Sequence, residues 1–220
     1  MKQGRAPRVR IKICGITNRE DAEMAIALGA DALGFNTWPG SKRYIDVEKE
    51  SGWIEELPPF VTKVALLVNA PLADAWRLAR LPFVDALQLH GDEDEAYCSS
   101  VRKGGRPFIK ALRVNSPGDF SELVGFETRH FLIDAHVQGL FGGTGVQVNL
   151  ELAAEFRRRH PHLALILAGG LKPENVGEAV RFVQPYAVDV SSGVESKPGR
   201  KDPTLIEDFV AAVRQAESGG

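Results

Sequence analysis

Two residues able to transfer protons each close an apolar run. Cys14 ends "RIKIC", where Gly15 and Thr17 stop the strand-like pattern before a helical stretch. As a thiolate it can serve as nucleophile or base; as a buried thiol it is only a small hydrophobe. Asp134 ends "FLID". A carboxylate straight after three apolar residues must reach solvent, a partner or a substrate, because an unpaired buried charge is costly. A capping or salt-bridge role would satisfy it equally. His90 follows "LQL" and either donates to a substrate or caps the next helix. Lys42 and Arg43 stand on a Pro39-Gly40-Ser41 turn. A guanidinium there suits a carboxylate, with two parallel hydrogen bonds; a solvated surface charge is the alternative.

Glycine turns form the second group. "LILAGGL" carries Gly169 and Gly170, and "VDVSSGVE" carries Ser191, Ser192 and Gly193. Glycines let a phosphate approach backbone N–H groups, and Ser192 is placed to cap a short helix over 193–196. Either turn alone reads equally as an ordinary tight turn; the two together favour phosphate. Gly139, Gly142, Gly143 and Gly145 follow Asp134 and read as a lid loop, with plain disorder as the alternative. Cys98 in "EDEAYCSSVRKG", Trp53 and Trp76 read as helix packing residues.

These residues need elements to hold them. Strands are expected at Val9–Cys14, Ala32–Phe35, Lys63–Val68, Ala86–Leu89, Phe108–Leu112, His130–Ile133, Ala164–Ala168 and Ala187–Val190. Their spacing averages roughly 25 residues, the length of one βα unit. Between them, Asn18 caps "REDAEMAIA" with Gly29 as its stop, and Pro173 and Pro203 open two further helices, the latter behind the cap Asp202. "GADALGF" and "FVDALQL" echo each other, as do "CGITNREDA" and "GGLKPENV". A closed (β/α)8 barrel, one domain over residues 1–220, accounts for this better than an open dinucleotide-binding sheet, whose G-x-G-x-x-G fingerprint is missing. In such a barrel Cys14, His90, Asp134 and both glycine turns collect at the C-terminal mouth, where active sites lie.

Composition excludes other classes. With 44 % hydrophobic and 25 % charged residues and a net charge of −2, the chain can bury a full core. It has no basic field for nucleic acid or an anionic membrane. The start, "MKQGRAPRVR", lacks the apolar stretch of a signal peptide, and no run is long enough to span a bilayer, so a cytoplasmic protein is expected. Two distant cysteines and five scattered histidines show neither disulfide nor zinc spacing, so no metal is expected.

Taken in order, "KICGIT", "GADALGF", "PGSKRYI", "LQLHGDE", "LIDA" with "GGTG", "LAGGLKPENV" and "VDVSSGVESKPGRKD" resemble the phosphoribosylanthranilate isomerase family over nearly the whole chain. The resemblance implies the (β/α)8 barrel and an Amadori rearrangement in tryptophan biosynthesis, without a cofactor. N-(5-phosphoribosyl)anthranilate would become 1-(2-carboxyphenylamino)-1-deoxyribulose 5-phosphate. It also implies Cys14 as general base, Asp134 as general acid, Arg43 on the anthranilate carboxylate, and Asp189 near the sugar. Gly169, Gly170, Ser192 and Gly193 would hold the phosphate; His90 is kept as a substrate contact. The partner is a small phosphorylated substrate, and the chain is read as a monomer or homodimer. The chain departs from the family's habit at "NTW", where two aromatics are common, and at Lys42, often proline. Such chemistry needs the Cys14 pKa lowered from about 8.5 by positive surroundings, and that of Asp134 raised from about 3.9. The related histidine-pathway isomerase has an aspartate where Cys14 stands, and a silent phosphate-binding barrel would not need both groups.

Overall fold

The computed structural model describes residues 8–112, 114, 116, 120, 123–134 and 150–218. Eight parallel strands form a closed barrel: β1 (Arg10–Cys14), β2 (Ala32–Asn36), β3 (Thr62–Leu67), β4 (Ala86–Leu89), β5 (Phe108–Leu112), β6 (His130–Asp134), β7 (Ala164–Ala168) and β8 (Ala187–Val190). The ring shuts where β1 pairs with β8, Lys12 opposite Asp189 and Ile13 opposite Val190. Each expected strand is present, with ends differing by a residue at most.

Alternation along the strands sorts the core into two sets. Ile11, Ile13, Leu33, Phe35, Leu87, Phe131, Leu165 and Val188 join the large cluster packed against the helices. Val64, Ala86, Ile109, Ala111, Leu132, Ile166, Ala168 and Ala187 form a separate small cluster that fills the barrel. Small residues suit the interior because the ring leaves room only for interleaved layers. The polar residues of the inward set, including Lys12, Gln88 and Asp189, are therefore buried and need partners: Lys12 and Asp189 pair with each other, and Gln88 pairs with His90.

The outer layer comprises α1 (Arg19–Ala27), α2 (Ser51–Glu55), α3 (Leu72–Ala79), α4 (Glu95–Lys103), α5 (Leu150–Arg159), α6 (Pro173–Val183) and α7 (Pro203–Ser218). Between β5 and β6 the described residues contribute only a 3-10 turn, Leu123–Phe126. Local chemistry explains the starts. Asn18 accepts from the Asp21 amide at α1, and Asp202 accepts from Thr204 and Leu205 at α7. Pro173 occupies the first turn of α6, where a missing N–H costs nothing. Gly29, at φ 108°, lets the chain leave α1 in a conformation other residues resist.

After β8 the structure departs from expectation. The short helix over 193–196 is a single 3-10 turn, Ser192–Val194, with Ser191 before it and no side-chain cap. Ser192 is not a cap. The chain continues as a hairpin, β9 (Glu195–Lys197) with β10 (Arg200–Lys201), turning at Gly199 (φ 79°). Pro198-Gly199 is a turn signal, and Glu195 opposite Lys201 makes a buried ion pair, at 2.9 Å, that a helix would not form.

Candidate active site

Cys14 is the last residue of β1 and only 8 % exposed. Lys12, two residues earlier, shares its inward face. The Lys12 ammonium donates to Asp189 Oδ1 at 2.8 Å, across the seam that closes the barrel. Gly34 on β2 makes room for both heads: a Cβ there would lie 2.7 Å from Cys14 Sγ and 2.9 Å from Lys12 Nζ. Thiol and ammonium thus share one small space.

Burial pushes the Cys14 thiol above its ordinary value; Lys12 is the foremost opposing influence, Asp189 adds to the rise and Lys201 opposes it. Burial thus opposes the lowering that base chemistry needs. The cations are present, but loss of water outweighs them. Burial also works against the charge on Lys12, yet Asp189 and then Cys14 hold its ammonium above the usual lysine value.

The loop after β2 carries Arg43. Ser41 Oγ accepts from the Arg43 amide and from Asn36 Nδ2, each at 3.0 Å, and Asn36 Oδ1 accepts from the Trp38 amide. These bonds hold the loop in place. Gly15, at φ 79°, leaves space for the arginine stem, since a Cβ would lie 2.4 Å from Arg43 Cδ. The guanidinium forms a fork with Glu195, Nε to Oε1 at 2.7 Å and Nη2 to Oε2 at 2.6 Å. Burial opposes ionisation of Glu195, but Arg43 and Lys201 hold its carboxyl below the usual range. Among the described residues Nη1 keeps no protein partner.

Lys201 is the clasp beneath. Its fully buried ammonium donates to the Cys14 carbonyl at 2.6 Å, the Ser191 carbonyl at 3.2 Å and Glu195 Oε1 at 2.9 Å. One side chain therefore ties the ends of β1 and β8 to the hairpin that fixes Arg43.

Across the mouth, Asp134 ends β6, in register with Ala168 just before the first glycine turn. His90 follows β4, not as a helix cap, because Asp94 caps α4. Gln88 Nε2 lies 2.8 Å from His90 Nδ1. With the amide as donor, the ring proton sits on Nε2, free to be given outward. Burial lowers the His90 pKa, and its field includes Asp189, Lys12, Asp134 and Lys110.

The glycine turns are contiguous. Gly169 and Gly170 have φ of 87° and 62°, so side chains there would be strained. Asn175 Nδ2 donates to the Gly170 carbonyl at 3.0 Å, and Asn175 Oδ1 accepts from the Lys172 amide at 2.8 Å, pinning the turn to α6. A Cβ on Gly193 would fall 1.9 Å from the Leu171 carbonyl. The turn after β8 can press against the turn after β7 only because residue 193 is glycine.

The structure thus brings Cys14, Asp134, His90, Asp189, Arg43 and both turns to one barrel mouth. Gly139, Gly142, Gly143 and Gly145 lie outside the described residues. Cys98 is buried in α4, its thiol pushed up to about 11 mainly by burial, as an inert packing residue should be. Among the described residues no group of three His, Cys, Asp or Glu is placed to hold a metal. Sequence reasoning missed Lys12, Gly34, Glu195 and Lys201. Lys12 had a usable signal, a lysine in register with Cys14 on a buried strand; the other three are understood only through distant neighbours.

A closed (β/α)8 barrel with a thiol and a carboxylate at its C-terminal mouth defines an acid–base barrel enzyme. The family model for N-(5'-phosphoribosyl)anthranilate (PRA) isomerase matches residues 11–212, and the chain belongs to that family. It is 46 % identical over 202 residues to N-(5'-phosphoribosyl)anthranilate isomerase of Geobacter metallireducens, covering 92 % of this chain and 97 % of that one. It is 47 % identical to the enzyme of Acidithiobacillus ferrooxidans, covering 94 % and 98 %. The crystal structure of phosphoribosyl anthranilate isomerase from Thermotoga maritima superposes with a TM-score of 0.84 at 40 % identity, covering 94 % of this chain and 99 % of that one. A second such isomerase, at 37 % identity and TM-score 0.80 with the same coverage, was solved with reduced 1-(o-carboxyphenylamino)-1-deoxyribulose 5-phosphate.

Proposed function

We propose that this chain converts N-(5-phosphoribosyl)anthranilate to 1-(2-carboxyphenylamino)-1-deoxyribulose 5-phosphate, the Amadori step of tryptophan biosynthesis. The observation that carries the reading is the pairing of Cys14 and Asp134 at one mouth in a chain of this family. Asp134 gives its proton to the ring oxygen as the C1′–O bond breaks, and the nitrogen lone pair forms the C1′=N iminium. The Cys14 thiolate then takes the C2′ proton; the C–H electrons become the C1′=C2′ bond and the iminium electrons return to nitrogen. The thiol gives that proton to C1′ as the enol proton leaves for water, and water reprotonates Asp134. No proton or electron is consumed.

Arg43 Nη1 meets the anthranilate carboxylate, Asp189 and His90 Nε2 face the sugar, and the turns at Gly169, Gly170, Ser192 and Gly193 offer amides to the phosphate. Held there, the phosphate aligns the sugar between acid and base, so its binding energy lowers the barrier as well as KM. The purified chain should therefore turn over the phosphorylated substrate, with sulfate as a competitive inhibitor. A dephosphorylated analogue should lose kcat as well as affinity. No turnover at all would sink the activity; equal kcat/KM for both substrates without sulfate inhibition would sink only the phosphate site.

A second copy of this chain is the partner supported at the opposite, strand-start mouth. Phe60 is 98 % exposed there, beside a cavity of about 640 Å³ lined by Thr62, Ala86, Pro107 and Ile109. Phenylalanine reciprocally inserted into such a cavity would bury both by two-fold symmetry. A crystal structure from Thermotoga maritima concerns a dimeric enzyme of this family. Sedimentation should give a dimer that Phe60→Asp converts to monomer with kcat retained; a monomeric native chain would exclude it. Among the described residues no helix is long and apolar enough to cross a membrane. Action in the cytoplasm is supported by the two free thiols, Cys14 and Cys98.

A further inference from the structure

We infer that Lys12 is the positioning residue of the base: its ammonium, held by Asp189, supplies the positive charge against which Cys14 keeps a thiolate. The inference rests on Cys14 acting as base. Its physical basis is burial. The Lys12 side chain is 5 % exposed and that of Asp189 7 %, so neither charge is spent on water. A buried ion pair adds little net stability over apolar packing of the same size, because desolvation offsets the attraction. Placing this one in the barrel seam at the thiol therefore calls for a reason other than holding the fold.

Geometry supplies that reason. Lys12 and Cys14 share the inward face of β1, and the absent side chain of Gly34 leaves both heads in one space. The other charges facing this point are each engaged. Lys201 on β10 is tied to Glu195 on β9 and to two carbonyls. Arg43 from the loop after β2 is forked onto the same Glu195. His90 after β4 feels Asp189, Lys12, Asp134 at the end of β6 and Lys110 on β5, and Lys110 is itself bonded to Glu93. Among the described residues Lys12 pairs with one carboxylate, Asp189, which leaves part of its charge for a second anion. When Cys14 ionises, the ammonium lies between two anions; when it is a thiol, the ammonium returns wholly to Asp189.

The test reads Cys14 alone in the substrate-free full chain, through the pH midpoint of its alkylation by iodoacetamide, with Cys98 as the buried internal reference. Lys12→Met should move the midpoint up by about one pH unit, a tenfold loss of thiolate at fixed pH. Asp189→Asn, which removes the competing anion, should move it down. Because Lys12→Met leaves Asp189 buried and unpaired, the double variant Lys12→Met/Asp189→Asn keeps the fold testable with a neutral pair of similar shape. In that variant the midpoint should stay high and kcat should fall with a smaller change in KM. A folded double variant with the native midpoint would overturn the inference, as would an upward shift for Asp189→Asn. If instead Cys14→Ala retained activity, the base assignment would fail while the alkylation data still judged Lys12.

Discussion

Cys14→Ala is expected to lower kcat by about 10²–10⁴-fold, the range for losing a positioned proton-transfer group. The barrel should survive, since the residue ends its strand and the deletion removes one sulfur from a site bordered by Gly34. Cys14→Ser sharpens the test: a hydroxyl keeps the shape, but its far higher pKa denies it the anionic form at neutral pH. The sign of the pH dependence follows from the burial that raises the Cys14 thiol. The base form grows as pH rises and is lost as pH falls, so kcat/KM should climb on the alkaline side of neutrality. In the complex the iminium adds a positive charge beside C2′ and helps Lys12. The rising limb of kcat should then sit at lower pH than that of kcat/KM, which reports the free enzyme. A folded Cys14→Ala variant that keeps more than about half the native kcat would end the assignment.

Asp134→Asn is expected to be comparably severe, at about 10²–10⁴-fold in kcat, because asparagine keeps the shape and has no proton to give the ring oxygen. KM should change much less. Asp134 stands at the end of β6, three strands from β1 around the ring, so it can address the sugar from a different side than the thiol. Ring opening precedes loss of the C2′ proton, so the variant should stall before any base-dependent step. With 2′-deuterated substrate, the isotope effect on kcat should shrink towards one. A rise in KM with kcat unchanged would leave the carboxylate a binding role only.

What was readable in the sequence is what is local. Periodicity in "RIKIC", "FLID" and "LILA" located β1, β6 and β7 with their chemistry at the correct end. Asn18, Pro173 and Asp202 located helix starts because capping needs only neighbouring amides. The helix placed over 193–196 failed for the converse reason: its serine and glycines suited a cap, but the pairing of Glu195 with Lys201 decided for a hairpin. Motif order added the family, and with it the roles proposed for Cys14, Asp134 and Arg43.

By itself, then, the sequence determined the eight strands and which residues stand at strand ends, since both follow from spacing and short-range hydrogen bonding. Tertiary structure alone decided what surrounds the thiol. Lys12 meets Asp189 across 177 residues, Arg43 meets Glu195 across 152, and Lys201 reaches the Cys14 carbonyl across 187. Each contact exists only once β1 and β8 close the ring. Closure also takes water from Cys14, which is why its thiol is raised although cations stand beside it. The charge a residue carries depends on neighbours and solvent brought together by the whole barrel, and no local pattern contains them.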